Sequence, residues 1–291
     1  MEKYYLLIML SVIMFGVNFA LNDVYRKVRG STVKASLETT FFGGIIGIVF
    51  LLLLNGIDIQ ITPFVLIMSF VSALNGFAFT FCGFKALNSI NLSLYSLFSM
   101  LGGMMLPFVQ GIVFYGENIT LAKVLCFVFI CAALVLTVEK GEKRKGMIYY
   151  VGIFVLNGMS GVISKIYNTA DFARGNATTY SVLAAGWGIL VSGILLITLF
   201  RNYSESKHCS LRSVGVASIN GALNKVANFL LVISLVNVES SVQYPMVTGG
   251  VMIVSTIICF FGKNKPKRKE IVSVCLAFVG LLLLFLLPMI F

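Results

Sequence analysis

Histidine and acidic residues are close to missing from this chain: one His and 11 Asp+Glu stand among 291 residues. That scarcity leaves no histidine pair and no carboxylate cluster for a metal centre or an acid–base catalyst, and His208 falls in a connecting stretch. A Gly-rich phosphate-binding loop is also lacking, so work done by the protein must draw on a gradient or on exchange. No hydrophilic stretch exceeds about a dozen residues, too few for an aqueous domain. Of the six cysteines, Cys82, Cys126, Cys131, Cys259 and Cys275 lie inside apolar runs and Cys209 in a loop, which is neither a disulfide framework nor metal-ligand spacing. The expectation is a protein with no cofactor, no metal and no enzymatic activity.

What the chain does have is apolar length. It is 58% hydrophobic and 11% charged, with mean hydropathy +0.97, the profile of a polytopic membrane protein. Apolar runs recur at 4–24, 34–54, 64–84, 92–115, 119–138, 147–168, 178–200, 212–236, 240–262 and 270–290. Each covers a hydrocarbon core about 30 Å thick. The first run is too long for a signal-peptide core and reads as a retained helix. A net charge of +11 could suggest nucleic acid, but its placement argues for no nucleic-acid partner. The odd-numbered loops hold 17 of the 22 basic residues, while the N-terminus and even loops hold Lys3, Lys123 and Arg174. By the positive-inside rule the odd loops are cytoplasmic and both termini extracytoplasmic, in a multi-pass protein of the cell membrane.

Two basic residues fall inside spans. Lys225 lies 13 residues past Arg212 and 12 before Asn237, roughly 18–20 Å from either end, too deep to snorkel. A lysine there costs about 2.5–3.5 kcal/mol on insertion scales. Asn220, Asn224 and Asn228 stack beside it at i, i+4, i+8. One bland reading is interhelical glue; three amides beside a lysine point instead to a cavity shared with Asn18 and Asn22 of the first span. Lys165, three residues from the end of its span, can snorkel and is a weaker candidate. It shares a polar stripe with Asn157, Ser160, Ser164 and Asn168. Trp187 is too deep for the interfacial belt, and Tyr244 and Tyr180 lie at similar depth; they pack or stack on a solute. Glu38, one turn into the second span, reads as a solvated helix end, with a proton site or a gate partner of a basic residue as the alternatives. Gly43-xxx-Gly47 and the pairs Gly102-Gly103 and Gly249-Gly250 read as close-packing positions.

The chain also repeats. A shift of 147 brings Gly102-Gly103 onto Gly249-Gly250; a shift of 145 brings Tyr4-Tyr5 onto Tyr149-Tyr150 and Gly16-Val17 onto Gly161-Val162. Five spans per half is an odd number, so residues 1–141 and 142–291 are expected to form two five-helix repeats of inverted topology. Such repeats put the solute site near the midplane, at their interface.

Phe15-Gly16-Val17-Asn18-Phe19-Ala20 resembles the opening of the drug/metabolite transporter superfamily, in its EamA-like ten-helix branch. The stretch from Lys85-Ala86-Leu87 through Tyr115-Gly116-Glu117 to Leu134 resembles the same family's third-to-fifth-span signature. Gly103-Met104 stands where relatives often carry Glu-Pro. The resemblance implies an all-α integral membrane protein with ten transmembrane helices. The expected function is a secondary active transporter working by alternating access, with a central Lys225/Asn site. Its partner is a small-molecule solute, polar and anionic or zwitterionic, in contact with membrane lipid. Transport is expected to be proton-coupled and the protein a monomer or dimer. The competing reading is a flippase for a lipid-linked anionic head group.

Overall fold

A computed structural model describes residues 2–30, 32–56, 58–87, 92–136, 147–171, 175–199, 210–261 and 268–290. The basic residues of the fifth and seventh loops, except Arg212, and Lys263, Lys265 and Lys267 of the ninth lie outside them. The described chain is all helical: α1 (Glu2–Arg29), α2 (Val33–Asn55), α3 (Pro63–Leu87), α4 (Leu92–Tyr115), α5 (Leu121–Leu136), α6 (Met147–Thr169), α7 (Ala177–Leu199), α8 (Leu211–Ser234), α9 (Ser240–Phe261) and α10 (Arg268–Ile290). Each coincides with one apolar run, because a backbone leaving water must bond to itself and a helix does so within one segment. Seven of them (α1, α2, α4, α7, α8, α9 and α10) are long and apolar enough to cross a membrane. Shorter described apolar stretches are Pro63–Phe79 in α3 and Leu121–Leu136 in α5. The remaining helix, α6, is interrupted by Asn157, Ser160, Ser164, Lys165 and Asn168.

Helix starts are set locally. Thr32 caps α2 by accepting from the Ala35 amide, and Ser210 opens α8 in a reciprocal capping box with Ser213. The tyrosine at the end of α4 is followed by Gly116 at φ +63, a left-handed turn that glycine adopts without penalty. That turn sends Glu117 back over α4, where its amide donates to the Gly111 carbonyl at 3.0 Å.

One apolar cluster joins α1, α4, α5, α9 and α10 through Ile8, Met104, Ile130, Leu134, Val251 and Ala277. A second joins Leu51 of α2 to Val182 of α7 and to Val226 and Phe229 of α8. The main neighbour relations survive exchanging each helix for the one five places later. Thus α1 packs on α8 and α9 as α6 packs on α3 and α4, and α2 meets α7 while α4 meets α9 and α5 meets α10. The two chain halves are therefore interleaved rather than side by side.

The crossing of α2 and α8 positions the polar stripe. A Cβ built on Gly43 would lie 2.5 Å from the Gly221 Cα, and one on Gly221 would lie 2.1 Å from the Gly43 Cα. The backbones touch there, and neither position can accept a methyl unless the helices separate. Gly102 meets the Phe154 carbonyl just as closely, which makes it a packing glycine too. Gly221→Ala should therefore destabilise the purified protein by about 1–3 kcal/mol, the usual range for overpacking. Thermal unfolding in detergent would show it. An unchanged midpoint would mean that the crossing is not tight.

Candidate functional site

Beside that crossing lies a cavity of about 250 Å³. Its walls are Asn18 and Asn22 of α1, Ser36, Thr39, Thr40, Gly43 and Gly44 of α2, and Asn220, Gly221, Asn224 and Lys225 of α8. It extends from Lys225, midway along α8, to Ser36 in the first turn of α2. It thus lies toward the end of the bundle that carries the first and seventh loops. Among the described residues, no carboxylate lines it.

Lys225 is half-buried, and its stem runs over the bare face of Gly47, where a built Cβ would come within 2.7 Å of the lysine Cγ. No described residue forms an ion pair or hydrogen bond with its ammonium. A charge so placed is costly unless a ligand or water meets it. Asn224 shares the wall; its Oδ1 accepts from Asn228 Nδ2 at 3.1 Å, and its own Nδ2 has no partner among the described residues.

Three amides form a closed network at the other end of the cavity. Asn18 Nδ2 donates to the Asn220 backbone carbonyl at 2.7 Å, Asn22 Nδ2 to Asn18 Oδ1 at 3.2 Å, and Asn220 Nδ2 to Asn22 Oδ1 at 2.7 Å. Asn220 is 3% exposed, and its Oδ1 has no hydrogen-bond partner. Two turns back along α1 from Asn18, Ser11 donates to the Ala227 carbonyl at 2.9 Å and continues the α1–α8 seam.

Of the residues singled out from sequence, Lys225, Asn224, Asn220, Asn18 and Asn22 are brought together here. The others sit elsewhere. Asn228 is exposed, one turn past Asn224, and donates to the Asn224 carbonyl at 2.8 Å. Trp187 packs edge-on against Phe70 of α3, with centroids 5.3 Å apart, and its Nε1 is buried without a partner. Tyr244 lies against α6, where a Cβ on Gly161 would meet its ring at 2.7 Å and Pro107 at 2.4 Å. Ser164 donates to the Ser160 carbonyl at 2.9 Å. Lys165, far from the cavity, pairs with Glu117 at 3.0 Å and lies 5.4 Å from the centre of the Tyr115 ring.

The α2 wall was not singled out, although its signal is in the sequence. Ser36, Thr39, Thr40, Gly43 and Gly44 follow i, i+3, i+4, i+7, i+8 spacing, a small and hydroxyl-bearing stripe on an otherwise apolar helix. Thr39 and Thr40 return their protons to the carbonyls of Ala35 and Ser36 at 3.0 and 3.1 Å, which hides their polarity inside the helix.

Glu38 corrects the reading of a solvated helix end. It is 6% exposed and held in two bonds by Arg29, Nε to Oε2 at 2.7 Å and Nη2 to Oε1 at 2.8 Å. Arg29 comes from the last turn of α1, and a fork-shaped pairing of this kind is strong.

At the opposite end of the bundle, Glu117 joins the halves. It accepts from the Ser240 amide at 2.9 Å, the Ser240 hydroxyl at 2.8 Å and the Ser241 amide at 2.8 Å, so a carboxylate caps the N-terminus of α9. Burial alone would raise its pKa. The hydrogen bonds from Ser241 and Ser240 and the contact with Lys165 outweigh that and hold it at about 2, below an ordinary 4.5. Nearby, Lys123 pairs with Glu239 and donates to the Asn118 carbonyl at 2.7 Å.

These features define a helical bundle whose apolar helices are long enough for a multi-pass membrane protein, with a polar cavity between its halves. The crystal structure of a protein with 16% sequence identity superposes with a TM-score of 0.75, covering 98% of this chain and 97% of its own. At that identity the likeness shows the fold alone. No family model matches the chain, and no curated protein matches it.

Proposed function

We propose that the protein is a secondary transporter of the drug/metabolite transporter type, with ten spans in two inverted five-helix repeats, which moves a small polar anionic solute by alternating access. The observation that carries this reading is Lys225: a cation with no partner among the described residues, in an amide-lined cavity at the seam of α8 with α1 and α2. The exchangeable helix neighbours support a repeat. So does Asn75, 145 residues before Asn220, which bonds α3 to α6 through the Leu156 carbonyl at 2.9 Å and Ser160 Oγ at 3.0 Å.

The buried pairs support a two-state device. Glu117 and Lys123 of the first half hold α6 and the start of α9 of the second at the even-loop end. The cavity lies toward the other end. This arrangement suits a state closed on the even-loop side, and transport requires these contacts to break as the opposite mouth closes.

Uptake by proteoliposomes preloaded with candidate small acids, without nucleotide, tests the function. Accumulation by exchange is the expected result; uptake that needs ATP would overturn it.

The orientation is a separate prediction. With single cysteines placed in a cysteine-free background, Thr169→Cys should react with an impermeant reagent from outside intact cells and Ser204→Cys should not. The reverse pattern would invert the topology and leave the cavity unchanged.

A further inference from the structure

Two polar side chains are exposed on faces that do not point out of the bundle. On α8, Leu211, Gly215 and Ile219 are exposed at i, i+4, i+8, an outward stripe that meets lipid in a membrane. Asn228 is exposed too, yet nine residues beyond Ile219 it points about 180° away, toward the helices that pack on α8. On α6, Ile148, Val151, Val155 and Ile166 form the outward stripe, and Ser160 is exposed about 120–140° from it. Counted back from the even-loop ends of their helices, Asn228 and Ser160 lie about 9 and 14 Å inside. Polar exposure at that depth, off the outward stripes, marks space within the bundle. Toward the even-loop end the same two faces close. Val232, one turn past Asn228, and Tyr167, seven residues past Ser160, share a buried cluster with Tyr180 and Val65. There the Tyr167 and Tyr180 rings stack with centroids 4.3 Å apart, and Phe64 stacks on Tyr167 at 6.0 Å. In the other direction Asn224, a wall of the Lys225 cavity, bonds to Asn228.

We infer that the solute path continues past Lys225 into a second subsite between α6 and α8, where Asn228 Oδ1 and Ser160 Oγ receive a hydrogen-bond donor on the far end of the solute. This rests on reading Lys225 as the anion site. Asn228 Nδ2 donates to the Asn224 backbone carbonyl, which only accepts, and to Asn224 Oδ1. The atom left over is therefore an acceptor, on an exposed residue and with no partner among the described residues. Ser160 Oγ turns its proton toward the Leu156 carbonyl at 3.5 Å and accepts from Asn75 at 3.0 Å, which leaves it a lone pair. Both groups thus ask for a donor. Lys225 and Asn228 are three residues apart, about 4.5 Å of rise, so the anion and the donor belong to one short molecule. Asn228 is open to water before the solute arrives, so the gain is that of an exchanged hydrogen bond rather than of a rescued buried one. The Tyr167–Tyr180 stack ends the path on the closed side.

Thiol accessibility on the whole protein in open membrane fragments is the first test. A charged methanethiosulfonate reacts with ionised thiols in water and is excluded from lipid. In a cysteine-free background, Asn228→Cys and Ser160→Cys should react at least about tenfold faster than Ile219→Cys and Val155→Cys on the outward stripes. Rates no faster than those controls overturn the subsite. The second test is affinity, measured by calorimetry on the purified protein, with 4-hydroxybutanoate and 4-aminobutanoate set against butanoate, which lacks the donor. At least one donor-bearing acid should bind about three- to tenfold tighter than butanoate, and in Asn228→Ala that advantage should fall toward one. Which of the two gains tells hydroxyl from ammonium. Equal affinity for all three, or binding of none, overturns the donor assignment even where both thiols react. If Asn228→Ala does not fold, the wild-type ratio and the Ser160→Cys rate decide. Uptake that still depends on Lys225 after either failure leaves the proposed function standing, whereas uptake indifferent to Lys225 removes the reading on which the subsite rests.

Discussion

Lys225→Met should abolish solute transport while the protein folds as well as the wild type or better. Methionine retains most of the stem that packs on Gly47, so the wall of the cavity persists. What disappears is a half-buried charge without a partner among the described residues, whose placement in a span costs about 2.5–3.5 kcal/mol. On the proposed reading, that cost is offset when the charge meets an anionic solute. Uptake in proteoliposomes should fall to the level of empty vesicles, with the thermal midpoint in detergent equal or higher. Lys225→Arg separates charge from proton traffic, since a guanidinium stays protonated at every accessible pH. If Lys225 carries the coupled proton, affinity for the solute weakens toward alkaline pH in the wild type and is flat in the arginine variant. A Lys225→Met protein that still transports would remove the cation from the mechanism.

The second large effect is expected at Glu117, away from the cavity. Glu117→Gln leaves Lys165 buried beside a neutral amide and weakens the cap on α9. Breaking a buried pair from one side costs about 3–5 kcal/mol. Adding Lys165→Met to Glu117→Gln should recover part of that loss, and a double-mutant cycle would measure the coupling. Strictly additive losses would show that the pair contributes nothing as a pair.

The same carboxylate makes stability depend on pH. Its folded pKa of about 2 lies below 4.5 in the unfolded chain, so the stabilisation is fully present above pH 4.5 and lost as pH falls toward 2. The amount is about 3 kcal/mol. Glu117→Gln should lack this acid-sensitive component, which unfolding measured across that range would reveal.

Lys225 and its amides were legible because both signals are local. A charge in the middle of an apolar run violates the cost of burial wherever the helix goes, and i, i+4 spacing puts amides on one face of any helix. Glu38 and Lys165 were misjudged or left ambiguous for the opposite reason. Distance from a helix end says whether a side chain can reach water, not whether a partner waits for it. Arg29 and Glu117 supply those partners, the first across a tight α1–α2 turn and the second from another half of the chain. The α2 hydroxyls escaped notice because threonines that bond to their own helix look like ordinary spanning residues.

By itself the sequence determined where the helices run, since each apolar segment must satisfy its own backbone once removed from water. It also determined which residues were too polar for their depth. Only the tertiary structure decided which of those share a space. Asn18 and Asn220 lie 202 residues apart and meet where α8 packs on α1, beside the close α2–α8 crossing at Gly43 and Gly221. Helix crossing depends on pairwise packing between distant segments, and no periodicity within one segment encodes it.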